Sequence, residues 1–263
     1  MPQQQPRLNP TALEAMKERF LARVGDFGDF QDQGSRYWAD ERAYKDEFAV
    51  RCREALTPAL FAAAGTPEGA QAVVATKHRL LTGRLKTTGA PQNLLSWRYF
   101  DFLRKMQDAE RAAFAPALGD LLFGQGASAE RVGRFVRVMW PSWQRVQGGN
   151  PYALSRNFPT LFLMMLDPTH DVAVRSDMFG AAARELLGDW LLRYAPFDAL
   201  QYQAVLDFAR AVRRHLEAWT WRPRDMIDVH SFLWVATRDD SVYARQAKPA
   251  STPADDPATS SED

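Results

Sequence analysis

A chain of 263 residues, 46% of them hydrophobic, buries about 70–75% of its unfolded surface, enough for a large core without metal or disulfide staples. Its single cysteine, Cys52, excludes an internal disulfide framework, and no apolar run reaches the ~18 residues of a membrane span. The 33 basic and 32 acidic side chains leave a net charge of +1 that conceals strong local asymmetry. The first residues, Met1-Pro2-Gln3-Gln4-Gln5-Pro6, lack the basic start and apolar centre of a signal peptide, so a cytoplasmic protein is expected.

Helical periodicity dominates from the start. Asn9-Pro10 reads as an N-cap with proline at the first helical position, and Leu13, Met16, Phe20 and Val24 share a face until Gly25 ends the run. Tyr37, Tyr44, Phe48, Cys52 and Ala55 mark a second helix that Pro58 should kink or interrupt. Cys52, between Arg51 and Arg53, is expected to be a partly exposed thiol. Thr66-Pro67-Glu68 opens a third helix that closes near Gly83, residues 93–106 read as a fourth, and residues 108–123 as a fifth broken near Pro116. Ser128 is expected to cap the next helix, whose apolar stripe is Val132, Phe135, Val136, Met139, Trp140 and Trp143, with Pro141 bending its end.

Gly148-Gly149-Asn150-Pro151 reads as a loop, and residues 158–166 as a buried helix ended by Asp167-Pro168. A short helix around residues 176–187 follows, and Asp198 caps a long one with Tyr202, Val205, Ala209, Val212, Leu216 and Trp219 on its packed face. The last helix starts near Arg224 and finishes near Thr237. From Gln246 the chain is rich in Ala, Pro, Ser, Thr and Asp, a composition that predicts disorder. The expectation is an all-α fold, a multi-helix array with a single main core, divided into residues 1–89, 90–245 and a disordered tail at 246–263.

Chemistry is sparse. No G-x-x-x-x-G-K-[ST] or G-x-S-x-G spacing occurs, which leaves no P-loop and no serine-nucleophile elbow, and no cofactor is expected. Asp225, Asp228 and His230 offer metal-ligand atoms, but an Asp and a His two residues apart on a helix point about 200° apart, a poor chelate. The carboxylates are expected instead to favour the helix dipole and pair with Arg222 or Arg224. Asp167, His170 and Asp171 read as a turn with a solvated imidazole, and Glu41 with Lys45 as an i, i+4 pair on a solvated face. The strongest binding signal is basic: Lys77, Arg79, Arg84, Lys86, Arg98, Arg104 and Lys105 face only Asp101, and Trp97, Tyr99, Phe100 and Phe102 lie among them. Cations for phosphate and rings for stacking are the composition of a nucleic-acid face.

Three segments carry a family resemblance. They are Gln92-Asn93-Leu94-Leu95-Ser96-Trp97-Arg98, the run Phe158-Pro159-Thr160-Leu161-Phe162-Leu163-Met164-Met165-Leu166-Asp167-Pro168, and Arg224-Asp225-Met226-Ile227-Asp228-Val229-His230-Ser231-Phe232-Leu233-Trp234. Together they resemble the helical region that precedes the AAA+ motor in McrB-type restriction and anti-phage ATPases, over about residues 90–237. His230 stands where the family pattern has Gln, and no Walker motif follows the Trp. The resemblance implies a helical module without NTP hydrolysis that contacts DNA or docks onto a separate AAA+ ATPase or nuclease subunit. A protein-interaction scaffold without DNA contact, and a divergent metal-dependent nuclease or hydrolase using Asp167, His170, Asp225, Asp228 or His230, are the open alternatives.

Overall fold

A computed structural model describes residues 6–147 and 151–238, the side chains of residues 97–100 and 147 excepted. The expected tail at 246–263 lies outside the described residues. The chain winds into α1 (Pro10–Val24), a π-helical turn (Trp38–Arg42) leading into α2 (Ala43–Ala55), α3 (Pro58–Phe61), α4 (Pro67–Thr82) and α5 (Trp97–Lys105). Then follow α6 (Asp108–Phe123), α7 (Ser128–Gln147), α8 (Pro151–Leu166), α9 (Ser176–Leu187), α10 (Ala199–Ala218) and α11 (Met226–Thr237). Among the described residues there is no strand; an isolated bridge joins Arg84 to Pro91.

Local chemistry sets most of the helix ends. Asn9 Oδ1 accepts from the Thr11 and Ala12 N–H groups, Thr66 Oγ1 from Gly69, and Asp198 Oδ1 from Gln201, each satisfying a donor that the first turn leaves orphaned. Gly25 closes α1 at φ 70°, a left-handed conformation that glycine adopts without a Cβ clash. Gly69 is fixed by proximity instead: a Cβ there would lie 1.9 Å from the Ala63 carbonyl oxygen. Ser128 is the first residue of α7 rather than its cap; the Arg131 N–H bonds to the Ala127 carbonyl.

Pro116, Pro141 and Pro159 sit inside helices. The break expected at Pro116 does not occur, and α6 runs through it. A missing hydrogen bond and ring clash cost about 3 kcal/mol, which burial of Phe114, Ala115, Leu118, Leu121 and Leu122 on the same helix is large enough to offset. Pro58, by contrast, ends the preceding run and occupies the first turn of α3.

Two helices are buried almost all round. α8 packs against α2, α6, α7 and α9, and α11 against α1, α9, α10 and the π-helical turn, so the remaining helices form a jacket around them. Phe102, Phe114, Phe135, Trp143 and Phe158 interlock at one end of the core, and Phe20, Phe27, Phe30, Tyr37, Trp221 and Phe232 at the other. These rings belong to one continuous hydrophobic core that takes residues from both sides of position 90. Between α10 and α11 the backbone turns through Thr220 and Arg222 at φ 63° and 48°. Non-glycine residues there cost on the order of 1 kcal/mol each, and the segment after α1 holds them in place. The Trp221 carbonyl accepts from the Phe30 N–H at 2.9 Å, the Arg222 carbonyl from Gln31 at 2.8 Å, and the Arg222 guanidinium pairs with Asp29.

Cys52 is fully buried, not exposed, because the Arg51 and Arg53 side chains leave α2 on other faces; burial pushes its thiol pKa up to about 12. Nearby, Lys77 of α4 is 0% exposed, and its ammonium nitrogen has no hydrogen-bond partner. It lies 5.0 Å from the Phe158 ring centre and against the Phe162 ring. Burial drives this amine's pKa well below the ordinary lysine value. The unfolded chain therefore takes up the proton first, and between the depressed folded value and about 10.4 stability rises with pH. Lys77→Met should raise stability by about 1–3 kcal/mol near neutral pH, since an unpaired polar group leaves an apolar site. Urea titrations at about pH 7 and 9.5 should show the wild type gaining stability relative to the variant as the proton that the unfolded chain holds on Lys77 is progressively lost.

Candidate functional site

Among the described residues a dense polar network is buried where the π-helical turn and α2 meet α11. A π-turn carries one residue more than an α-turn, and its wider spacing brings Tyr37, Glu41, Arg42 and Lys45 to the surface of α11. From α11, Asp225 caps the helix with Oδ1 accepting from the Ile227 N–H, and Asp228 and Ser231 follow on the buried side.

Arg42 is the hub. Its Nη1 donates to Asp225 Oδ1 at 2.7 Å and Asp228 Oδ1 at 2.8 Å, its Nη2 to Asp225 Oδ2 at 2.7 Å, and its Nε to Asp46 Oδ1 at 2.8 Å. Asp228 also accepts from the Tyr37 hydroxyl at 2.7 Å and, through Oδ2, from the Arg224 backbone N–H at 2.7 Å. Beside this fork, Lys45 Nζ donates to Glu41 Oε2 at 3.0 Å and Ser231 Oγ at 2.7 Å, and Arg238 Nη1 approaches Glu41 Oε1 at 3.6 Å.

The electrostatics follow from burial and pairing. Burial would lower the Arg42 pKa, but the Asp225 and Asp228 carboxylates outweigh it and hold the guanidinium charged. The Tyr37 hydroxyl is pushed well up, by burial and then by the Asp228 charge, so it stays a donor. Burial lowers the Lys45 pKa against the pull of Glu41. His230 is 2% exposed, and burial, aided by the Lys45 and Arg175 charges, drives its pKa well below the ordinary value; its Nδ1 has no partner.

Several expectations change here. Asp225 and Asp228 pair chiefly with Arg42, 183 residues from Asp225, and not with Arg222, which goes to Asp29. Arg224 does pair with Asp228, as expected, with Nε 3.6 Å from Oδ2. Glu41 and Lys45 do pair as i, i+4 neighbours, but in the core: they are 5% and 0% exposed, because the face they occupy meets α11. Sequence reading misses Arg42 altogether; the available signal is that Glu41, Arg42 and Lys45 fall within one five-residue window between the buried rings of Tyr37 and Phe48.

The acidic candidates do not assemble into a site. His170 bonds to Asp167 at the surface at 2.9 Å, Asp171 is buried against the Tyr202 hydroxyl at 3.1 Å, and Asp225 and Asp228 are engaged by Arg42. Among the described residues no group of three or more His, Cys, Asp and Glu is arranged to hold a metal. Arg42 and the two α11 carboxylates have their hydrogen bonds made and opposite charges adjoin, the chemistry of a fixed joint between helices, while Arg224 Nε and Nη2 at its edge have no hydrogen-bond partner.

The basic stretch divides between core and surface. Lys77 is enclosed by the Phe158 and Phe162 rings and cannot meet a polyanion. The Arg98 side chain lies outside the described residues. Arg79, Arg84, Lys86, Arg104 and Lys105 are exposed. Arg79 and Arg104 line one cleft of about 360 Å³ with His78, Arg111, Gln71, Val74, Ala75 and Leu103, between α4 and the α5–α6 corner. Among the described residues no acid lines this cleft, although Arg104 pairs with Asp101 and Arg111 approaches Asp108 at 3.4 Å outside it. Arg84 and Lys86 follow α4 in a loop clamped by Glu47, whose carboxylate accepts the Lys86 and Thr87 N–H groups at 2.7 and 2.9 Å. Lys105 pairs with Asp101 at 2.6 Å.

No family model, curated protein or solved structure matches the chain.

Arg42→Met should destabilise the protein by about 3–5 kcal/mol, because it leaves Asp225 and Asp228 buried without their cation. Equilibrium denaturation checks this, and a change under about 1 kcal/mol would show that the carboxylates find other partners.

Proposed function

We propose that the chain is a non-catalytic, nucleic-acid-contacting component of a bacterial anti-phage or restriction defence system, and that DNA phosphates enter the cleft between α4 and the α5–α6 corner. The observation that carries the proposal is the convergence of His78, Arg79, Arg104 and Arg111 on a cleft with no acidic lining. Local concentration of positive charge attracts phosphate irrespective of the near-zero net charge, and phosphate contacts position a duplex without reading its sequence. Arg84 and Lys86 extend the same charge beyond the end of α4, on a loop whose backbone Glu47 fixes.

The defence setting and a separate AAA+ ATPase or nuclease subunit as partner rest on the resemblance of residues 90–237. The alternative of a protein-interaction scaffold draws on a different surface, where Trp190, Tyr194 and Leu200 are 61%, 89% and 76% exposed.

Replacing Arg79, Arg104 and Arg111 by Gln should weaken duplex binding for unrelated sequences alike. The slope of log affinity against log salt should flatten by about 0.9 for each phosphate that the variant no longer neutralises. Lys77→Met, inside the core, should leave binding unchanged. Fluorescence anisotropy with labelled duplexes across a salt series measures both. An absence of binding at low salt, or a triple variant that binds like the wild type, overturns the nucleic-acid reading and leaves the scaffold in its place.

A further inference from the structure

A second polar cavity, of about 360 Å³, opens between the loop before α5, the first turns of α8 and the start of α9. Its walls come from Asn93, Leu94 and Ser96, from Ala153 and Asn157, and from Arg175, Ser176 and Asp177. None of the cleft residues argued to meet DNA lines it.

Three features point to a ligand. The first is the start of α9, a 12-residue helix whose N-cap residue, Arg175, makes no side-chain cap, so that backbone donors and the positive end of the helix dipole face this region. The second is the cation set above it. The Arg175 guanidinium stacks 4.0 Å over the Trp234 ring, which holds it in place. Arg156 Nη1 donates to Ser176 Oγ at 3.2 Å, so the Ser176 hydroxyl hydrogen is left to donate elsewhere. The third is independent of both. Asn157 is 5% exposed; its Nδ2 donates to the Leu94 carbonyl at 3.4 Å, and its Oδ1 has no partner. A buried carbonyl oxygen without a donor costs about 1–3 kcal/mol, which a ligand hydrogen removes.

The wall therefore asks for an anion that also carries a proton to donate. We propose that this cavity binds a phosphate group bearing an O–H, as inorganic phosphate or as the monoanion of a small phosphate monoester: anionic oxygens toward the α9 N-terminus, Arg175 and Ser176, and the P–OH toward Asn157 Oδ1. Sulfate has the same shape and charge but no hydrogen to give at neutral pH, so it leaves Asn157 unsatisfied. Phosphodiesters lack that hydrogen too, which separates this site from a backbone-binding cleft. Asp177 competes with the ligand: its Oδ2 lies 3.2 Å from Arg175 Nη2 at the rim, 68% exposed, where it supplies a negative charge that a phosphate would displace.

Isothermal titration of the full chain with sodium phosphate and sodium sulfate at matched ionic strength tests the proposal. Phosphate should bind saturably and about ten-fold or more tighter than sulfate, since a polar site left unpaired rejects the analogue. Asp177→Asn, at an exposed position that leaves the fold intact, should tighten phosphate binding several-fold, and Arg175→Gln should weaken it about ten-fold. Asn157→Leu, checked for a native melting transition, should bring phosphate down to the affinity of sulfate. Adenosine 5′-monophosphate, compared with phosphate near pH 5.5 where a monoester of second pKa about 6 still carries its hydrogen, distinguishes the sources: binding as tight as phosphate assigns a monoester, and exclusion beside intact phosphate binding assigns the free ion. Equal affinities for phosphate and sulfate, no saturation by tens of millimolar phosphate, or an Asp177→Asn variant that binds no tighter would each overturn the assignment.

Discussion

The Arg42 guanidinium, spread across two carboxylates of α11, is the contact on which the arrangement of the other helices depends. It fixes the π-helical turn against the last helix, and through that helix α1, α9 and α10 acquire a common support. A planar fork suits this task better than an ammonium would, because two parallel hydrogen bonds to Asp225 define an orientation as well as a distance. Tyr37 and the Arg224 backbone N–H occupy remaining acceptor positions on Asp228, so the charges are removed from water with their hydrogen bonds made. Lys45 repeats the logic one turn later with Glu41 and Ser231.

Helix order is legible in the sequence because it is written in local chemistry. Asn9, Thr66 and Asp198 announce helix starts through side chains that reach two or three residues ahead, and apolar periodicity marks the buried faces of α1 and α10. The charged network is not legible, because its rule is non-local. Glu41 with Lys45 has the same spacing on a solvated face as on a buried one, and what distinguishes them is α11, far along the chain. Cys52 and Lys77 mislead for a related reason: flanking arginines and a basic neighbourhood describe the average polarity of a stretch, whereas a helix turns each successive residue by about 100° onto a different face.

That division recurs along α4. Lys77 points into the phenylalanines of α8, while His78 and Arg79, the next two residues, reach the cleft shared with Arg104 and Arg111. A run of like charge can thus serve the interior and the surface within one helical turn, and only the surface members count toward a polyanion footprint. The polar cavity at α9 uses no member of that basic run. Its donors come from separate segments and its acceptor from an asparagine inside an apolar helix, so charge density along the chain gives no sign of it.

The burial of α11 also governs how the protein is made. Arg42 leaves the ribosome long before Asp225, which follows 183 residues later, and at about 5–20 residues per second the interval is roughly 10 to 40 s. Throughout that time Arg42 lacks the two α11 carboxylates and Lys45 lacks Ser231, and the helical jacket lacks one of the two helices it surrounds. Local helices can form in microseconds, yet the contacts that tie α1, α9, α10 and the π-helical turn to α11 must wait for its synthesis. The side of the core that α11 completes therefore closes late in synthesis, after the helices around α8 have all been made.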